Sequence, residues 1–415
     1  MNNIGYEKLL PQALSGDSLI SSLRYHPEYD DSFREEDQFE RLGRLADIYK
    51  IYEPFPMAVE IYNKLRIATV MSLQKKNTKL AVQQRNETYR TMISNGNYHG
   101  IIGGADSLTI VGQSGIGKSS AIGQALSLIS GGNIITMDNP PLKIIPCIQV
   151  QCPFDASPKG MLLEILRNVD TIIGTSYCER SKKSSATTDT LIGTVSQVCL
   201  NHIGLLVIDE IQNVYGRKNG ILLVSMLIQL INSSGISVAM VGTEECVSFF
   251  KSSVPFARRA QGLRYGALSY DEYFEDFCRL LWKYQYTATF TEIDIGIIEW
   301  LYEHSGGVIS NVISMVHDAQ EIAILEGYEK LDTNMLCRAY KTRMSFMHDF
   351  VTVEKKEITP NHHQEKNNIV LENGAHYAQD AHLTLEEMVI IAKDKGLDPI
   401  AFLKENIVIE EVDVQ

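Results

Sequence analysis

The chain has 415 residues, room for two or three domains at about 150 residues each, so a single small module is excluded. Hydrophobic residues at 44% and charged residues at 21% are ordinary for a globular protein. No apolar run approaches the roughly 18 residues that cross a bilayer, and the opening MNNIGYEKLL has no secretory pattern, so a soluble, cytoplasmic protein without a membrane partner is expected. The 51 acidic residues outweigh the 38 basic ones, and the net charge of −13 argues against bulk-charge coating of nucleic acid while leaving room for a local basic track.

In chain order, residues 1–56 form a polar, Tyr-rich appendage with an acidic stretch, EYDDSFREEDQFE. Phe39, Leu42, Leu45, Ile48 and Tyr52 recur at helical spacing and predict one amphipathic helix stopped by Pro54 and Pro56. Its face docks either on the chain's own core or on a partner. A second helix is predicted from Met57 to about Leu73, followed by a polar linker to roughly Asn97. Apolar runs at Ser107–Gly112, Ile144–Val150, Gly204–Asp209, Ile236–Gly242 and Leu263–Leu268 then alternate with helical patterns. That alternation predicts an α/β fold: a five-stranded parallel sheet covered by helices on both faces, over residues 57–270.

Four helices follow over residues 271–345, near Asp271–Tyr284, Glu292–His304, Val308–Leu325 and Asp332–Met344, with Gly306-Gly307 separating the second from the third. Residues 346–415 read as a polar linker, EITPNHHQEKNN, then a helix capped by Thr384 with Glu387 three on, and an acidic end. This tail is expected either to tether a partner or to pack on the helical bundle. The seven cysteines are scattered without a C-x-x-C pair, so neither a disulfide framework nor a zinc site is expected, and most should be reduced core residues.

The chemistry concentrates in the α/β region. Gly112, Gln113, Ser114, Gly115, Ile116, Gly117, Lys118 and Ser119 match G-x-x-x-x-G-K-[ST], with Ser120 next, between an apolar strand and a helix start. Glycines let successive backbone N–H groups turn towards phosphate oxygens at a helix N-terminus. Lys118 is placed to reach the β- and γ-phosphates of ATP, and Ser119 to offer a hydroxyl to Mg²⁺. The strand Leu205–Asp209 ends in Asp209 and Glu210, whose side chains point to opposite sides. Asp209 is expected to hold Mg²⁺ through its water shell and Glu210 to polarise the attacking water. A further strand ends in Thr243; the pattern resembles additional-strand P-loop ATPases, which implies a γ-phosphate sensor at this tip, the alternative being a helix N-cap. Phe256-Ala-Arg258-Arg259 precedes the last strand. One of these arginines is the candidate finger reaching a neighbouring subunit's phosphate, unless the pair is an ordinary surface one.

Together these features resemble the AAA+ ATPases, a P-loop domain with a C-terminal helical lid. The segments Gly112–Ser119, Val150–Gly160, Ile208–Asn213, Val241–Glu244 and Phe256–Gln261 resemble more closely the TnsC/TniB regulators of transposition, relatives of the IstB and DnaC helper ATPases. The resemblance covers roughly residues 57–345. One departure is Ser305-Gly-Gly-Val-Ile-Ser-Asn311, where many AAA+ lids carry an arginine.

The resemblance implies a slow, regulatory ATPase that forms a homo-oligomer, ring or helical filament, on duplex DNA without sequence preference, and links a target-selector protein to a transposase. Lys159, and Arg180, Lys182 and Lys183, are the candidate phosphate contacts, in loops beside the helix after the second strand. Two other readings of the same P-loop chain are a signalling ATPase that touches no DNA and a helicase loader that prefers single strands.

Overall fold

The computed structural model describes residues 5–76, 107–138, 141–251 and 262–345. The linker through Asn97, the arginines Arg258 and Arg259, and all that is expected of residues 346–415 lie outside the described residues. The chain divides into two compact units, Met1–Lys355 and Lys356–Gln415, and every described residue belongs to the first. Among the described residues no helix is long and apolar enough to cross a membrane.

The α/β expectation holds, with one strand more than the sequence suggests. Strands β1 (Ser107–Gly112), β2 (Ile135–Asp138), β3 (Pro141–Gln151), β4 (Ile203–Asp209), β5 (Ser237–Gly242) and β6 (Gly262–Tyr265) form one sheet in the order β2-β3-β4-β5-β1-β6. All neighbours are parallel except β2, which pairs antiparallel with β3 at the edge. A four-residue strand carries too little periodicity to be read from sequence.

The two central strands β4 and β5 are buried along their whole length, and strict alternation sends their side chains to two cores. Leu206, Ile208, Val238 and Met240 face α5 (Pro158–Ile173), α7 (Thr188–His202) and α8 (Gly220–Ser234). Leu205, Val207, Ala239 and Val241 face α3 (Pro56–Lys76), α4 (Lys118–Ser130) and α1 (Gly16–Leu23). Helix α5 shows how local sequence sets these elements: Ser157 Oγ accepts the Gly160 N–H at 3.1 Å, Pro158 starts the first turn, and Gly174 closes it at φ 74°.

Helices α10 (Glu272–Trp282), α11 (Ile295–Ser305), α12 (Ile309–Leu325) and α13 (Thr333–Arg343) enclose a separate core. The turn before α12 uses Gly306 and Gly307 at φ 62° and 72°. A Cβ on Gly307 would run into the Leu268 carbonyl, so a glycine is required there.

The N-terminal appendage divides between these cores. Leu19 and Leu23 of α1 join the sheet's core, while Leu45, Ile48, Ile51 and Phe55 join the core of the four helices. The single helix expected over this stretch is instead α2 (Gln38–Arg44) followed by a 3₁₀ turn, Leu45–Lys50. Phe39 does not follow the predicted face and stays 81% exposed. Arg41 is buried in the same helix, because its guanidinium meets Glu329 in a two-pronged ion pair at 2.6 and 2.7 Å and donates to the Tyr286 carbonyl at 2.9 Å. Glu329 is held below its ordinary value chiefly by that hydrogen bonding from Arg41.

All seven cysteines are free and five are buried. Burial pushes the thiols of Cys147, Cys152, Cys199 and Cys246 up to about 12, leaving them neutral and unreactive.

Candidate nucleotide-binding site

The functional residues lie at the carboxyl ends of adjacent parallel strands, where loops meet helix N-termini. β1 runs into the phosphate loop, whose Gln113 N–H is anchored on the Tyr265 carbonyl of β6 at 3.3 Å. Gly115 and Gly117 take φ 82° and 90°, a region side chains avoid, and so turn the loop into the start of α4. Lys118 is buried; its ammonium donates to the carbonyls of Gly112 and Gln113 at 2.8 and 2.6 Å. Burial lowers its pKa, and the nearby charges of Asp209 and Glu210 oppose that shift. Ser119 and Ser120 stand exposed on the first turn of α4.

Asp209, at the tip of β4, is buried. It accepts from Gln149 Nε2 of β3 at 3.0 Å and from the Glu210 N–H at 2.8 Å. Glu210 occupies the left-handed region at φ 57°, unusual for a side chain with a Cβ, and its carboxylate accepts from Gln212 Nε2. β5 lies between β1 and β4 and ends at Gly242. Thr243 follows, its Oγ1 buried and without a partner among the described residues. It does not act as a helix cap through that oxygen.

These groups surround one cavity of about 340 Å³. Its phosphate end is lined by Gly115–Ser120, Asp209, Glu210, Gln212 and Thr243. The other end is largely apolar and comes from far away in sequence: Ile51 and Phe55 from the appendage, Met57 from the start of α3, Phe277 from α10, and Ile309 and Ile313 from α12. Sequence reading does not single out this second wall; the only local sign is the aromatic run Tyr49-Lys-Ile-Tyr-Glu-Pro-Phe55. The helical lid also touches the phosphate loop directly. Ser310 donates its N–H to the Gly115 carbonyl at 3.0 Å, and a Cβ on Gly115 would collide with Ser310 Oγ. Ser310 therefore stands against the loop in a lid whose α12 start carries no arginine.

The residues fit a nucleotide with a divalent metal: a glycine-turned loop, a buried cation, a carboxylate and a hydroxyl lining the same cavity, and a buried hydroxyl without a partner among the described residues at the end of β5. The four candidate phosphate-binding cations of the outer surface do not come together. Lys159 lies exposed on the first turn of α5, whereas Arg180, Lys182 and Lys183 lie exposed on α6 (Tyr177–Lys183), a short helix and not a loop. α6 is tied to the far end of α5, where Asp170 caps the N–H groups of Tyr177 and Cys178, both at 2.8 Å. Lys159 and Asp170 stand eleven residues apart on α5, roughly 17 Å along the helix.

Lys159 has other neighbours. The loop before it carries Phe154, 77% exposed, and the segment after β4 carries Tyr215, 53% exposed, with Arg217 and Lys218, both exposed and in no ion pair among the described residues. The two loops leave paired strands, with Gln151 opposite Asp209, and are joined by Asn213 Nδ2 donating to the Cys152 carbonyl at 2.9 Å. The turn Tyr-Gly-Arg-Lys-Asn-Gly directly after the acidic strand end is the sequence sign of this second loop.

The sheet order, the phosphate loop at the tip of β1 and the acidic tip of β4 define a P-loop α/β protein of the AAA+ type. Residues 101–250 match the family described as an AAA domain. No curated protein matches the chain. Similar solved structures include the Aeropyrum pernix ORC1 protein in complex with DNA, at 14% identity and TM-score 0.42, covering 63% of this chain and 64% of that one. Drosophila ORC bound to DNA is similar at 8% identity and TM-score 0.42, covering 80% and 70%. AMPPCP-bound DnaA from Aquifex aeolicus is similar at 10% identity and TM-score 0.34, covering 66% and 67%.

Proposed function

We propose that the protein is an ATP-hydrolysing regulator of transposition of the TnsC/TniB kind, assembling as a homo-oligomer on duplex DNA in the cytoplasm and passing target selection to a transposase. The observation that carries the enzymatic part is the convergence of Lys118, Asp209, Glu210 and the unpartnered Thr243 hydroxyl on one cavity. In this reading Lys118 neutralises the β- and γ-phosphates, Ser119 and Asp209 hold Mg²⁺, and Thr243 meets the γ-phosphate. Mg²⁺, when bound, offsets charge on the phosphoryl group. Glu210 takes the proton of the attacking water, and Arg258 or Arg259 reaches the site of the neighbouring subunit.

The DNA surface we assign is the first turn of α5 with Lys159 and the loop after β4 with Arg217 and Lys218, with Phe154 and Tyr215 in the loops beside them. What supports it is that these cations follow the carboxyl ends of the paired strands β3 and β4, whereas Arg180, Lys182 and Lys183 sit on α6, tied to Asp170 in the second half of α5. Target selector and transposase would meet residues 1–56 or 346–415, outside the ATPase and lid segments.

The test is duplex binding with and without ATP, over a salt series. Wild type should bind duplexes of unrelated sequence only with ATP. Replacing Lys159, Arg217 and Lys218 by Ala should lower the salt slope by about one for each phosphate interaction removed, and replacing Arg180, Lys182 and Lys183 should leave it unchanged. ATP hydrolysis with no duplex binding points to the signalling reading, and preference for single strands to the helicase loader.

A further inference from the structure

Among the described residues, Gln212 is the side chain that joins the acidic strand end to the sensor strand end. Its Nε2 donates to Glu210 Oε2, and its Oε1 accepts the Thr243 N–H at 3.3 Å. The approach depends on Gly242: a Cβ there would lie 2.8 Å from Gln212 Oε1 and 2.8 Å from Ile211 Cγ2. The turn that carries Gln212 is fixed from the other side as well, since Asn213 donates its N–H to the Glu210 carbonyl at 3.0 Å and its Nδ2 to the Cys152 carbonyl. Glu210 itself sits in a backbone region that costs about 1–3 kcal/mol unless its surroundings impose it. Two neighbouring strands thus determine where its carboxylate stands, β3 through Asn213 and β5 through Gln212.

We propose that Gln212 is a positioning residue for hydrolysis: by its two hydrogen bonds it fixes the Glu210 carboxylate and couples it to the strand end that bears Thr243. The inference rests on the ATPase reading above. In the step it serves, water adds to the γ-phosphorus, the bond to the β,γ-bridging oxygen breaks, ADP leaves, and the water's proton passes to the Glu210 carboxylate. With Oε2 engaged by Gln212, Oε1 is left to take that proton. A phosphate at Thr243 and the base at Glu210 then share one rigid link through a single carboxamide, so displacement of the sensor backbone moves the base with it.

The test compares the full chain with Gln212→Ala, Gln212→Glu and Gly242→Ala. Gln212→Ala should lower kcat by about 100-fold, the scale of a reacting group displaced by about 1 Å, with ATP affinity and KM within about twofold of wild type. Gln212→Glu keeps the acceptor for Thr243 and replaces the donor by a carboxylate against Glu210. It should lower kcat as far as Gln212→Ala does, with KM again within about twofold of wild type, because the hydrogen bond donated to Glu210 is lost. Gly242→Ala should slow hydrolysis partly through the same approach, so combining it with Gln212→Ala should cost less than the sum of the two. Wild-type kcat in Gln212→Ala, wild-type kcat in Gln212→Glu, or fully additive effects in the double variant would each overturn the assignment. If those results appear while Glu210→Gln is inactive, the ATPase reading stands without Gln212. If wild type hydrolyses no ATP, both readings fall.

Discussion

The two ends of the nucleotide cavity are built in different ways. The phosphate end is assembled from three strand tips, each with its candidate residues in a run of a few positions: Gly112–Ser119 from the end of β1, Asp209–Glu210 at the end of β4 and Thr243 after β5. The apolar end draws on the appendage, α10 and α12, from residues more than 250 positions apart. The first end depends on charge and backbone geometry encoded locally. The second depends on the fold bringing an N-terminal segment and a C-terminal lid together, so damage to either should reach the cavity without touching a phosphate-binding residue.

Truncating Lys118 to Ala should have the largest effect. It removes a buried cation addressed to phosphates, and a loss of about 3 kcal/mol, or about 100-fold in ATP affinity, is expected. Titration with a fluorescent ATP analogue checks it; unchanged affinity would break the distinction between the two ends.

Next is Arg41→Ala, which leaves Glu329 without its partner at the junction of appendage and lid. The cost should be about 2–3 kcal/mol of stability, seen as a lower Tm. Because the Glu329 carboxyl is depressed in the fold, this stabilisation is present above the unfolded carboxyl's pKa and is lost as pH falls through the folded one. The difference in Tm between wild type and variant should therefore be full at pH 7 and shrink below about pH 4. A pH-independent difference would assign the effect to packing alone.

The smallest effect should come from Met57→Ala at the apolar end. Truncating one half-buried side chain removes about 1 kcal/mol of apolar burial. ATP and ADP should weaken equally, by several-fold, because this wall is remote from the γ-phosphate. A weakening confined to ATP would mean that Met57 acts on the phosphate end instead.

The same contrast explains what the sequence disclosed. The five parallel strands, the four helices after them and the run of the phosphate loop were legible because each is encoded in a contiguous run whose period or composition has one physical meaning, whereas β2 is too short for that. Arg41 was not, since a charged residue on a short helix reads as solvent-facing, and only its ion pair with Glu329 across the fold buries it. Phe39 misled for the complementary reason: the apolar spacing fits a helix longer than the one that forms, because the chain tightens into a 3₁₀ turn at Leu45. The acid pair Asp209-Glu210 was readable, whereas the link from Glu210 through Gln212 to Thr243 required the proximity of β4 and β5 and the missing Cβ of Gly242.

The central claim is that the phosphate end hydrolyses ATP with Glu210 as the base, and Glu210→Gln tests it most directly. The carboxamide keeps the size of the side chain and removes its capacity to take a proton, so ATP affinity and hydrolysis should separate. The account predicts ATP binding within about twofold of wild type and a single-turnover hydrolysis rate at least about 100-fold lower. Hydrolysis at the wild-type rate in Glu210→Gln would contradict it and place the base elsewhere.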